Sequence, residues 1–221
     1  MKTSINLKPT LAFLGDLERN NNKAWFDKNR ARYDEARGRF EDFVQALIVE
    51  IGAFENLTGV TPKDSIFRIN RDIRFSKDKS PYKTHMAAAI APGGRKSGTM
   101  GYYLHIGPRN QSMLGGGVHM PEPEQLARWR EAVDRDAAKL NQVLDNKEFV
   151  RYYGALEGER LKSAPKGFPP DHPQIELLKL KQFATMHALT DKEVLAPDVV
   201  TSTVKAFTAL KPFLDYLNSI L

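Results

Sequence analysis

The apolar residues change period twice along the chain, and that double change limits the folds open to it. From Lys23 to Phe54, Phe26, Tyr33, Phe40, Phe43, Val44, Leu47, Ile48 and Ile51 recur at three- and four-residue intervals, the spacing of one helix face. The middle reads as strands instead: Ser65–Ser76 alternates, and Thr84–Ala91, Gly101–Gly107 and Ser112–Met120 are short apolar segments between turn signals. Helical spacing then returns, first in Leu126, Trp129, Val133, Ala137 and Leu140, later in Val200, Val204, Phe207, Leu210 and Leu214. Helices, then strands, then helices is the order of an α+β fold rather than of alternating βαβ units.

The expected architecture is a single domain over residues 1–221, with a mostly antiparallel central sheet flanked by N- and C-terminal helices. Residues 1–60 read as helical and 61–120 as the sheet core. Residues 121–221 read as helices with one returning strand at Gln182–Leu189. The short links Pro92–Gly98 and Gly107–Gln111 favour antiparallel hairpins. Thr10 is expected to cap a first short helix, and Asn20-Asn21-Asn22 to end it and cap the next. Pro121–Glu124 reads as a helix start, Asp198 as the cap of a last helix, and Leu161–Pro173 as loop.

A chain of 221 residues with 41% apolar and 27% charged residues can bury a substantial core. No apolar run is long enough to span a membrane. The opening MKTSINLKPTLAFLGDL lacks the apolar core of a secretory signal. There is no cysteine, which removes disulfides and thiolate chemistry and suits a reducing cytoplasm.

The net charge is +6, and it is concentrated. Between Lys63 and Lys83 stand seven basic residues and three acids, a local excess of +4 that attracts anions. Read by strand parity, Ser65–Ser76 separates into two faces. Phe67, Ile69, Arg71, Ile73 and Phe75 form a core face interrupted by Arg71, which needs an acidic or multi-acceptor partner. Arg68, Asn70, Asp72 and Arg74 form a polar ladder. Lys77, Lys79 and Lys83 belong to the loop that follows. Arginines on a strand with lysines beside them suit a phosphate or carboxylate. A solvated face with Arg–Asp pairs and a solubilising loop is the bland alternative.

A hairpin turn near Arg109 makes opposed residue numbers sum to about 218. Tyr102, Leu104, Ile106, Leu114, Gly116 and Val118 then face the core. Tyr103, His105, Met113, Gly115, Gly117 and His119 share the other face. Glycine within a strand marks close approach by a ligand or another backbone, or else a bulge that would turn His119 away. His105 and His119 are the proton-transfer candidates, with Asp72 orienting a histidine or pairing with an arginine. The same three could form a two-histidine, one-carboxylate metal set, but nothing in the spacing fixes it, and no metal or cofactor is expected. His85, His172 and His187 read as structural. GGRKSG at Gly93–Gly98 lacks the phosphate-loop pattern and sits between strands.

The stretches NNNKAWFDKNRARYDEA, FRINRDIRFSKDKSPYKTHMAAAIAPGGRKSG, GYYLHIGP, GGGVHMPEPEQLARWREAVD and LKSAPKGFPPDHPQIELLKLKQF resemble, in order and wording, the blocks of an uncharacterised family, domain of unknown function 2461. The resemblance spans nearly the whole chain. It implies a stand-alone protein with bacterial and fungal relatives, and it carries no activity with it.

Three readings follow. In the first, Arg68, Arg74 and Lys79, assisted by Lys77 and Lys83, hold an anionic small molecule; Asn70 and Tyr103 add hydrogen bonds, and His105 or His119 moves a proton if there is catalysis. In the second, the basic segment binds nucleic acid. In the third, the chain is a non-catalytic interaction module. Neither a reaction nor an oligomeric state is legible in the residues.

Overall fold

The computed structural model describes residues 5–156 and 158–221, and it is α+β. Its four-stranded antiparallel sheet has the order β1-β2-β3-β4, with β1 Met86–Ile90, β2 Tyr102–Ile106, β3 Ser112–Val118 and β4 Phe183–Leu189. The returning strand is therefore present. β1 pairs with β2 from Met86 opposite Ile106 to Ile90 opposite Tyr102. The chain clusters into two compact units, Met1–Leu114 with Ala188–Lys205, and Gly115–His187 with Ala206–Leu221.

The first unit begins with α1 (Lys8–Arg19), α2 (Lys23–Lys28) and α3 (Arg30–Ile51). The long periodic segment is thus two helices, divided at Asn29, whose side chain donates to the Trp25 carbonyl. Asn22 caps α2 as expected, accepting from the Trp25 amide at 2.9 Å. Thr10 is not a cap. It lies inside α1, buried, and donates to the Ala36 carbonyl at 2.9 Å, because Pro9 already starts the helix one turn earlier than the spacing suggested.

α1 and α3 bury their apolar stripes against each other, with Phe13 among the rings of Trp25, Phe26 and Tyr33. Phe26 in turn stacks on Tyr82 at 4.1 Å and 15°. That contact ties the helices to the segment leading into β1.

The second expectation to fail is the strand at Ser65–Ser76. Pro62–Ser65 is a short helix, α4, closed by a capping box between Thr61 and Asp64. Beyond it only the isolated bridges Ile66–Ala88 and Asn70–Tyr82 form. Of the predicted core face only Ile69 is buried, and Phe75 is 96% exposed. Parity orders side chains only while the backbone stays pleated and paired, and that pairing ends at Arg71.

The second unit contains α5 (Pro123–Arg135), α6 (Ala138–Leu144), α7 (Lys147–Tyr153) and α8 (Ile175–Leu178). Glu122 and Gln125 form the capping box of α5. Trp129 is fully buried, stacks on Phe183 at 4.7 Å and 5°, and donates its indole N–H to the Leu177 carbonyl at 3.1 Å. α9 (Asp191–Val194) belongs to the first unit. α10 (Val199–Ile220) follows Asp198 and contains Pro212; its residues from Ala206 onward belong to the second unit.

The Gly115–Gly117 run has a local cause. A Cβ at Gly115 would lie 2.5 Å from the Thr185 carbonyl oxygen, and one at Gly117 would lie 2.4 Å from that of Phe183. Gly117 also has φ +105°, outside the range of ordinary strand residues. Of the two forms of close approach, this is the approach of another backbone, that of β4.

Candidate functional site

The site lies in the first unit and is built by an irregular hairpin. Three main-chain contacts define it: Phe67 N–H to Ala87 O at 2.9 Å, Lys83 N–H to Ile69 O at 2.8 Å, and Arg71 N–H to Pro81 O at 2.9 Å. Between the first two contacts one side advances from 67 to 69 while the other retreats from 87 to 83. The side with two extra residues must bulge, and Thr84 and His85 lie within that bulge. Both line a cleft of about 360 Å³, together with Glu18, Asn21, Arg71, Asp78, Ser80, Tyr82 and Lys83.

Asn21 holds the far side of the hairpin. Its side-chain amide donates to Tyr82 O at 2.9 Å and accepts from Tyr82 N–H at 3.1 Å, as a neighbouring strand would. The run of three asparagines is therefore more than helix punctuation. Arg71 finds the acid it needs in Asp78, and donates further to Ser80 O at 3.1 Å and Ser76 Oγ at 3.3 Å. Hydrogen bonds from Ser80, then the Arg71 guanidinium, pull the Asp78 carboxyl down to about 2. The loop 72–80 is thereby drawn onto Arg71.

Lys83 is half-buried, and its ammonium donates to Arg68 O at 3.1 Å. Burial first, and the charge of Arg68 second, lower its pKa. His85 stacks on His105 at 4.6 Å and 28°. Burial, His105 and Lys83 bring the His85 imidazole down to about 4, so it is neutral near pH 7. His105 Nε2 lies 2.6 Å from the Gln111 carbonyl, which can only accept, so Nε2 carries the hydrogen. Nδ1 then accepts from the Tyr103 hydroxyl at 3.1 Å. Burial lowers the pKa of His105, opposed by the bond to Gln111, and raises that of Tyr103.

The sequence-derived candidates are thus distributed unevenly. Tyr103 and His105 share a face of β2 and a hydrogen bond, behind His85. Lys83 is in the cleft. Arg68 and Asn70 are exposed on the hairpin, and Lys77 is exposed on its loop. Lys79 donates to Ile73 O at 3.0 Å. Asp72 pairs with Arg74 on the surface, at 3.0 and 2.7 Å, rather than with a histidine. His119 is exposed just past β3, in the second unit. Among the described residues no group of three or more His, Asp or Glu side chains is arranged to hold a metal ion.

The residues that sequence reasoning passed over are Glu18, Asn21, Asp78, Thr84 and His85. Asp78-x-Ser80 carried a turn signal that could have been used. Glu18 and His85 carried none, because a helix position and a bulge inside a paired segment look ordinary in one dimension.

The fold and the cleft define an α+β protein with a polar cleft beside the edge of its sheet. The chain belongs to the family described as conserved hypothetical protein (DUF2461), whose profile it matches over residues 9–216. No curated protein matches it. No solved structure matches it either. Among the described residues no helix is long and apolar enough to cross a membrane.

Proposed function

We propose that the protein binds a small ligand through a phosphate or carboxylate group in the cleft lined by Arg71, Lys83, Thr84 and His85. The observation that carries this reading is the state of Lys83. Its ammonium is half-buried and depressed by its own burial and by Arg68, and among the described residues it has no carboxylate partner. An anion at that position relieves both effects. Arg71, pinned by Asp78, adds fixed donors, and His85 offers a neutral imidazole whose ring nitrogens bond to no described residue. If the ligand is turned over, His85 is the group placed to take a proton from it, with His105 and Tyr103 behind. We read the chain as a single folding domain of a reducing cytoplasm; the cysteine-free sequence supports the compartment.

Titration calorimetry with inorganic phosphate and citrate tests the reading. Binding should weaken roughly ten- to hundredfold in Lys83→Met, the loss of one charge-assisted hydrogen bond. Binding indifferent to Lys83→Met removes it, as does the absence of wild-type binding both to these two anions and to acids or phosphates that carry an amine.

A second reading, nucleic-acid binding, is favoured by one observation. Phe75 stands 96% exposed on the loop with Arg74, Lys77 and Lys79, an aromatic among cations. Base stacking and phosphate contacts use such a set. Gel shifts with single-stranded DNA and RNA at two ionic strengths decide it: affinity should fall steeply with salt and in Phe75→Ser. No shift at low salt ends this reading.

A further inference from the structure

We propose, resting on the anion-binding reading of the same cleft, that its ligand is zwitterionic, with an anionic group at Lys83 and a protonated amine at Glu18.

Glu18 lines the cleft from the last turn of α1. Its Oε1 is ion-paired with Arg109. Its Oε2 is buried and has no hydrogen-bond partner among the described residues. A buried carboxylate oxygen without a donor is uncommon in folded proteins, because losing water without a replacement is costly. A donor from a ligand satisfies it.

The carboxylate cannot easily turn away. Arg109 sits in the hairpin turn with φ +58°, and its N–H and that of Asn110 donate to the Asp191 carboxylate at 3.0 and 2.9 Å. The Asn110 side chain accepts from the Asp191 N–H at 2.8 Å. The turn is therefore clamped from both sides, and it holds Arg109 on one oxygen of Glu18 while the other is left without a donor among the described residues. The helix end adds to the preference, since the C-terminal turn of α1 presents carbonyl oxygens and favours a positive group.

The cleft thus has two poles, a cation at Lys83 and a carboxylate at Glu18. A ligand with acidic groups alone would set like charge against Glu18. One carrying an amine beside its acid complements both. The volume, about 360 Å³, suits a molecule of the amino acid or aminoalkyl phosphate class.

The test compares matched pairs that differ by the amine: aspartate against succinate, and phosphoethanolamine against ethyl phosphate, by calorimetry on the full chain. The amine-bearing member should bind roughly tenfold tighter or more. Glu18→Gln should erase the difference, weakening the amine-bearing member and relieving the like-charge repulsion on the other, whereas Lys83→Met should weaken all binders. Equal affinities within both pairs, or a difference that survives Glu18→Gln, overturn the zwitterion and leave the anion reading standing. No binding by any of the four probes overturns both. Should Glu18→Gln fail to fold, the wild-type comparison alone decides.

Discussion

The imidazole of His85 lies 4.6 Å from that of His105 and nearly parallel to it, so two titratable rings share one partly buried place. Both pKa values are lowered, that of His85 to about 4. The unfolded chain protonates both near 6.5. From about pH 6.5 down to 4 the unfolded state therefore takes up protons that the folded state does not, and stability falls. Below about 4 this contribution is exhausted. The Asp78 carboxyl, held down to about 2, contributes stability that is lost only below 3.8, so the two windows are separate. Melting temperature should drop between pH 7 and 4. His85→Phe should flatten that drop, as read by thermal denaturation at a series of pH values. A wild-type curve flat over this interval would contradict the stacked neutral pair.

Asn21 replaces a missing strand neighbour for Tyr82, through bonds of 2.9 and 3.1 Å. Asn21→Ala leaves the main-chain groups of a buried residue unpaired, at a cost of about 1–3 kcal/mol. Denaturant unfolding should register this. Binding in the cleft should weaken together with stability, because the same peptide carries Lys83 next to it.

The glycines of β3 and of α3 should respond in opposite directions to the same substitution. Gly115→Ala and Gly117→Ala each drive a methyl into a β4 carbonyl, and Gly117 also has a positive φ. A loss of about 1–3 kcal/mol is expected for each. Gly38 lies inside α3 with nothing within 4 Å of an added Cβ. Gly38→Ala should gain about 0.5–1 kcal/mol. Urea midpoints of the three variants check the sign of each.

Trp129 anchors the core of the second unit through its stack on Phe183 and its indole bond to Leu177 O. Trp129→Ala should cost about 3–5 kcal/mol. Trp129→Phe keeps much of the ring contact and should cost only part of that, the remainder reporting the lost hydrogen bond. Equilibrium unfolding of both variants separates the two contributions.

Phe75→Ser should leave stability within about 0.5 kcal/mol, since a side chain 96% exposed buries almost nothing. A large loss of stability would show that the loop packs elsewhere in solution.

Periodicity alone determined the class of this protein. The stripes of α3, α5 and α10 follow from spacing, which reports which face of an element is dry, and the two short turns and the returning strand at Phe183–Leu189 were legible beside them. The pairing of Tyr103 with His105 on one face also follows, because β2 is a regular strand and its alternation holds. Arg71 was expected to need an acidic or multi-acceptor partner and has Asp78, although the apolar face from which that need was argued does not form.

Tertiary structure decided the rest. Ser65–Ser76 alternates in sequence, yet α4 and a bulged hairpin replace the strand. Pairing ends at Arg71, and with it the pleat on which parity depends; before that, the opposite side slips by two residues, from Ala87 to Lys83 across Phe67 and Ile69. That slip sets Thr84 and His85 in the cleft. Glu18 reaches it from a helix more than sixty residues earlier in the chain, and the turn that fixes its partner Arg109 is locked by Asp191, more than eighty residues later. Such meetings depend on long-range packing and on one local register shift, and neither leaves a mark on residue spacing.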